Sequence, residues 1–230
     1  MPNDTTPATV VILARVDATT TDEGFAALAA SVRRCGAAVT WVADGETVKR
    51  LSRETSDQGW ALALDGAATE SRQRLRQHLL VLRRAAVDGV VVADGGTIAQ
   101  RDLLVAEGIH TAVVDRFDEV TRGSRRPSPE GWACRSVVWG LWEVESTPTR
   151  GGSRLGRWIP WIGGPAAGSL TVVTVPGEGA GIQTTADRVT RVIAAHRGGR
   201  HPKRFARLGD LPGLLGSGGQ PNGGSVLRAA

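Results

Sequence analysis

The sequence predicts an α/β protein built on a mainly parallel sheet. Apolar, β-branched runs of strand length recur along the chain, as in Thr9–Asp17 (TVVILARVD), Asp88–Ala93 (DGVVVA) and Leu170–Val175 (LTVVTV). Stretches with the apolar spacing of an amphipathic helix lie between them. The joints are short and marked by Asp and Gly. Strand and helix in alternation, joined by short turns, imply parallel strands with right-handed crossovers. An open doubly wound sheet and a closed barrel both satisfy this rhythm.

The first strand, Thr9–Asp17, ends in an acid and is followed by the turn-like Ala18-Thr19-Thr20-Thr21. Asp22–Gly36 reads as a helix, because Phe25, Leu28, Ala29 and Val32 share one face and Gly36 suits its stop. Ala37–Ala43 is the second strand, Glu46–Gln58 a more polar helix, and Trp60–Leu64 the third strand, closed by Asp65-Gly66. The longest helix is Thr69–Ala86, with Leu75, Leu79 and Leu82 on one face and His78 beside it as a boundary residue. Asp88–Ala93 is the fourth strand; Thr97 is expected to cap a helix reaching Glu107, and His110–Arg116 is the fifth strand. Beyond it, 117–131 reads as a polar loop, Ala133–Val144 as one strand, and Thr147–Ser169 as a long Gly/Pro loop. Leu170–Val175 is a strand, Pro176–Gly181 a glycine-rich turn without the ending of a phosphate loop, and Thr185–Arg197 a helix. Arg204–Leu208 is a short final strand, and the Gly-rich tail 216–230 is expected to be disordered.

At 230 residues, 41% hydrophobic and 22% charged, the chain suits a single domain with a full core. Cys35 and Cys134 form neither a disulfide framework nor a metal knuckle and are expected as buried thiols. No apolar run is long enough to span a bilayer, and the opening MPNDTTPATVV lacks the build of a signal peptide. The cytoplasm is therefore the expected compartment. The net charge of +5 equals the five cations Arg197, Arg200, Lys203, Arg204 and Arg207 of the window 195–207. That window reads as a solvated helix end, where cations suit the dipole. Nucleic acid is the weaker reading, since no recognition motif accompanies it.

Four local similarities support a family resemblance. Val11–Ala18 stands where polysaccharide deacetylase (NodB-type) domains have a first strand ending in Thr-Phe-Asp-Asp-Gly. Cys35–Val42 is similar to that family's Gly-Val-Lys-Ala-Thr-Phe-Phe-Val strand. Gly59–Gly66 with the following helix is similar to Gly-His-Glu-Ile-Gly-Asn-His-Thr, and Arg204–Leu208 with Leu211 to Arg-Phe-Val-Thr-Leu-Ser-Glu-Leu. The sequence thus resembles this family over residues 9–215. The resemblance implies a distorted (β/α) barrel of seven or eight strands. It also implies a divalent metal held by one Asp and two His, a second Asp as general base and a late His as acid.

This chain departs from that chemistry. The paired acids of the first motif become Val16-Asp17, so only the ligand acid Asp17 remains. The two ligand histidines correspond to Asp65 and Thr69, the Arg-Pro-Pro-Tyr segment to Val92-Ala93-Asp94-Gly95, and the late Leu-Leu-His to Thr174-Val175-Pro176. His78, His110, His196 and His201 match none of these places. A site of carboxylates without imidazole binds zinc weakly, and an activated water there lacks a proton acceptor.

What remains is acidic and indole-rich. Asp17, Asp65, Asp94 and Asp115 each close a predicted parallel strand, so all four should meet at one barrel mouth, where such folds bind ligands. Asp65-Gly66 and Asp94-Gly95 also fit plain turn chemistry, which leaves Asp17 and Asp115 as the candidate catalytic pair. Trp139, Trp142, Trp158 and Trp161 cluster in a strand and the long loop, as a saccharide platform would. The expectation is a degenerate barrel that binds a saccharide, another small polar ligand or a partner protein without the metal-dependent reaction. No cofactor and no metal site are expected, a divalent ion at Asp17 being the alternative. The competing reading is a hydrolase of carbohydrate C–N bonds using Asp17 with Asp65 or Asp115.

Overall fold

The computed structural model describes residues 7–54, 58–65, 71–85, 89–94, 100–115, 132–138, 140–148, 170–177, 182–198, 203–216 and 226–228. The first half alternates as expected: β1 (Ala8–Arg15), α1 (Asp22–Arg34), β2 (Thr40–Ala43), α2 (Gly45–Leu51), β3 (Gly59–Leu64), α3 (Arg72–Ala85), β4 (Val90–Asp94), α4 (Arg101–Ala106) and β5 (Thr111–Asp115). The second half contains β6 (Trp132–Val138), β7 (Leu141–Glu145), β8 (Thr147–Pro148), β9 (Leu170–Val175), α5 (Ile182–Arg197), β10 (Lys203–Ala206), α6 (Leu211–Gly216) and β11 (Val226–Arg228).

The strand order β9–β1–β2–β3–β4–β5–β7 is parallel throughout. β7 passes through Ser146 into β8, which pairs with β9 at Thr147↔Val173 and Pro148↔Thr174. The order therefore returns to its starting strand, and the sheet rolls into a nearly closed barrel with helices interleaved.

β1, β2, β3 and β9 are buried on both faces. On β1, Val10, Ile12 and Ala14 join Phe25, Leu28 and Val32 of α1 in an outer layer, while Val11 and Leu13 face the bore with Val42, Ala61, Val92 and Val113. Continuous β-branched runs are what a strand covered on both sides requires. Outside, Phe25 meets Trp41 edge-on at 5.1 Å and Trp60 at 5.3 Å. Buried, the Trp41 indole N–H needs a partner and donates to Gln58 Oε1. A second outer layer packs Leu75, Leu79 and Leu82 of α3 and Leu103 and Leu104 of α4 on β3, β4 and β5.

Local chemistry fixes the helix ends. The Thr21 hydroxyl accepts from Gly24 N at 3.1 Å to cap α1, and Asp44 accepts from Thr47 N at 2.9 Å to cap α2. Gly36, at φ +57°, lets the chain leave α1 through a left-handed residue. Arg101 opens α4 and is bound by Glu143 of β7, with Nε and Nη2 at 2.9 and 2.6 Å from Oε1. Glu143 is buried, and the guanidinium compensates its charge there.

Several expectations need correction. Ala133–Val144 is not one strand but the antiparallel hairpin β6–β7, turned at Gly140 with φ +89°. The helix expected from Thr97 starts at Arg101, because Gln100 has non-helical backbone angles; Thr97 itself lies outside the described residues. The helix expected over 46–58 stops at Leu51 and tightens into a 3-10 turn at Ser52–Glu54. Val226–Arg228, expected within a disordered tail, forms β11 against β6. Cys134 is buried as expected, but Cys35 caps the surface end of α1 and is half-buried. Among the described residues no helix is long and apolar enough to cross a membrane.

Candidate functional site at the C-terminal mouth of the barrel

The two ends of the bore differ. At the N-terminal end, Ala206, Leu208 and Leu211 pack into the interior layer, and Leu208 N donates to Thr40 Oγ1 at 2.9 Å. Arg207 pairs with Asp210 at 3.1 Å and holds this plug in its turn. A plugged lower end leaves the C-terminal end as the place for a ligand, as in other β/α barrels.

That end carries the acids. Asp17 follows β1 by two residues, and Val16 N still bonds Val42 O at 2.9 Å, so β1 and β2 stay paired up to the turn. Asp17 Oδ1 accepts from Thr19 N at 3.0 Å, Thr19 Oγ1 at 2.6 Å and Thr20 Oγ1 at 3.2 Å. These bonds favour the charged form and hold its carboxyl below the usual range, the Thr19 hydroxyl contributing most. Asp17 therefore serves its own turn at the C-terminal end of β1. The pattern Asp-x-Thr-Thr could have announced this role in the sequence.

Asp65 is exposed, one residue past β3. Asp94 and Asp115 end β4 and β5 and are register partners, two positions beyond the bore-facing Val92 and Val113. The four acids thus stand at or just past the C-terminal ends of four parallel strands.

The tryptophans divide. Trp142 stands opposite Thr111, the first residue of β5, and is half-buried against the interior layer. It sits toward the plugged end and not with the acids, because the hairpin starts β7 at Leu141. Trp139, Trp158 and Trp161 lie outside the described residues. The described histidines also stay away from the mouth: His78 is on α3, His110 precedes β5 at its N-terminal end, and His196 is buried near the end of α5.

Comparison with solved structures finds this architecture in one described as "Crystal structure of putative polysaccharide deacetylase from Mycobacterium smegmatis". The match covers 94% of this chain and 92% of that one, with a TM-score of 0.54 and 12% identity. The chain has the polysaccharide deacetylase fold. No family model matches the sequence, and no curated protein does. At this identity the likeness carries the fold alone.

The donor set does not fit the zinc site that the deacetylase resemblance implies. Its imidazole places hold Asp65 and Thr69, the latter outside the described residues, and Asp17 Oδ1 already accepts three bonds. Among the described residues no group of three His, Cys, Asp or Glu side chains is placed to hold a metal ion. Sequence reading missed Arg50, whose guanidinium reaches the Asp17 turn from α2. An arginine in a polar helix carries no signal for that reach.

Proposed function

We propose that this chain is a non-catalytic barrel of the polysaccharide deacetylase fold that binds a saccharide or similar small polar ligand at its acidic mouth. One observation carries the reading: of the two places where the resemblance implies metal-binding imidazoles, one holds Asp65 and the other Thr69, while the described histidines lie on helices or at the N-terminal end of β5. Ionised carboxylates only accept hydrogen bonds, so the mouth suits a ligand rich in hydroxyl or ammonium donors. A partner protein offering the same donors is the other form of this reading.

Calorimetric titration with chitotetraose and with fully deacetylated tetraglucosamine tests it, alongside an acetate-release assay with added Zn²⁺, Mg²⁺ or Mn²⁺. The expected result is saturable binding, tighter for the cationic oligomer, with no acetate released. Acetate release that disappears in Asp17→Ala would overturn it.

A second reading has its own support in the register pairing of Asp94 with Asp115. Two aspartates at the ends of neighbouring parallel strands can divide acid and base roles in a hydrolase of carbohydrate C–N bonds. A bell-shaped pH–rate profile lost in Asp115→Asn would favour that enzyme.

A further inference from the structure

The turn that presents Asp17 is fastened from outside its own strand–helix unit. Arg50, on the last turn of α2, donates through Nη2 to Thr20 O at 2.8 Å and Ala18 O at 3.4 Å, and through Nη1 to Asp22 Oδ1. One guanidinium thus spans residues 18–22, the segment between Asp17 and the start of α1. Its side chain is 37% exposed and that of Asp22 57%, so the ion pair itself adds little to stability. The two carbonyl contacts are what distinguish this arginine from an ordinary surface ion pair, because they fix backbone.

We infer that Arg50 is a positioning residue for the ligand mouth: it holds the 17–20 turn so that Asp17 keeps Oδ1 tied to Thr19 and Thr20 and offers Oδ2 to a hydroxyl or ammonium donor of the ligand. Oδ2 has no hydrogen bond among the described residues. The effect runs through backbone geometry. The inference rests on the ligand-binding reading of the mouth, but its first test does not.

That first test is amide hydrogen exchange by NMR on the full chain. In Arg50→Gln, exchange at Thr19 and Thr20 should quicken about tenfold, as expected for losing hydrogen bonds made by a charged donor. Thr47 and Val48, bonded to Asp44 at the other end of α2, should keep their rates. Arg50→Lys keeps the charge without the fork and should fall between. Unchanged Thr19 and Thr20 rates, or equal quickening throughout α2, would overturn the inference, the latter because it marks a merely structural role.

The second test is a double-mutant cycle on tetraglucosamine affinity. Arg50→Gln should weaken binding about tenfold in the native background and have no effect on Asp17→Asn, the coupling expected of residues acting as one unit. Equal losses in both backgrounds would overturn the inference. Native affinity in Asp17→Asn would instead sink the mouth reading, and the exchange result alone would then decide the role of Arg50.

Discussion

The bore and the outer shell are two faces of the same strands, and they use different residues. Inside stand Val11, Leu13, Val42, Ala61, Val90, Val92 and Val113, with the larger Trp142 half-buried beside them. Outside stand Trp41, Trp60 and Phe25 in mutual contact, then the leucines of α3 and α4. The interior of a small barrel is filled by its own side chains. Helices packed on the outer face leave a deeper gap that aromatic rings fill. The interior therefore has little spare volume, whereas the shell depends on a few large side chains that nothing nearby can replace.

Substitutions can break or sharpen this contrast. The largest effect is expected in the shell, where Trp41→Ala removes a fully buried indole and leaves Gln58 Oε1 without that donor; a loss of about 3–5 kcal/mol in urea unfolding is expected. In the bore the damaging change is the opposite one. Val92→Phe should cost about 1–3 kcal/mol by overpacking, and a neutral result would show the interior to be wider than its residues imply.

Cys134 adds a pH test of the same interior. Burial pushes its thiol up from 9.0 to about 12. Between those values the unfolded chain loses the proton and the folded chain keeps it, so stability falls as pH rises, by about 1.4 kcal/mol per pH unit. Unfolding at pH 9 and 10.5 should show this slope for the native protein and not for Cys134→Ala. The smallest effect belongs to the solvent edge. Thr21→Ala removes the α1 cap and should cost about 1 kcal/mol, leaving both apolar layers intact by near-UV circular dichroism.

The regions legible in the sequence were those where local and global demands agree. Each strand from β1 to β5 is an apolar run bounded by polar turn residues, and the acids stand out because each follows such a run. The hairpin at Gly140 was not legible, because Ala133–Val144 is apolar on both sides of a single glycine and its reversal depends on one positive φ. The start of α4 was misplaced because no side-chain cap hydrogen bond marks it, and the contact of its first residue Arg101 with Glu143 is far off in sequence. That Asp94 and Asp115 are neighbours follows from strand register, which periodicity does not encode. The contact of Arg50 with the Asp17 turn is equally non-local.

Among the described residues the barrel is completed by Thr147 and Pro148, against a pairing of β1 with β9 that runs from Thr9 to Ala14. Proline has no amide proton to donate, and among the described residues this seam has two register pairs, one of them at a proline. A hoop under thermal load parts where it is least stitched. Gentle opening of this protein should begin as a longitudinal split beside β9, with the opposite wall at β2 and β3 acting as the hinge.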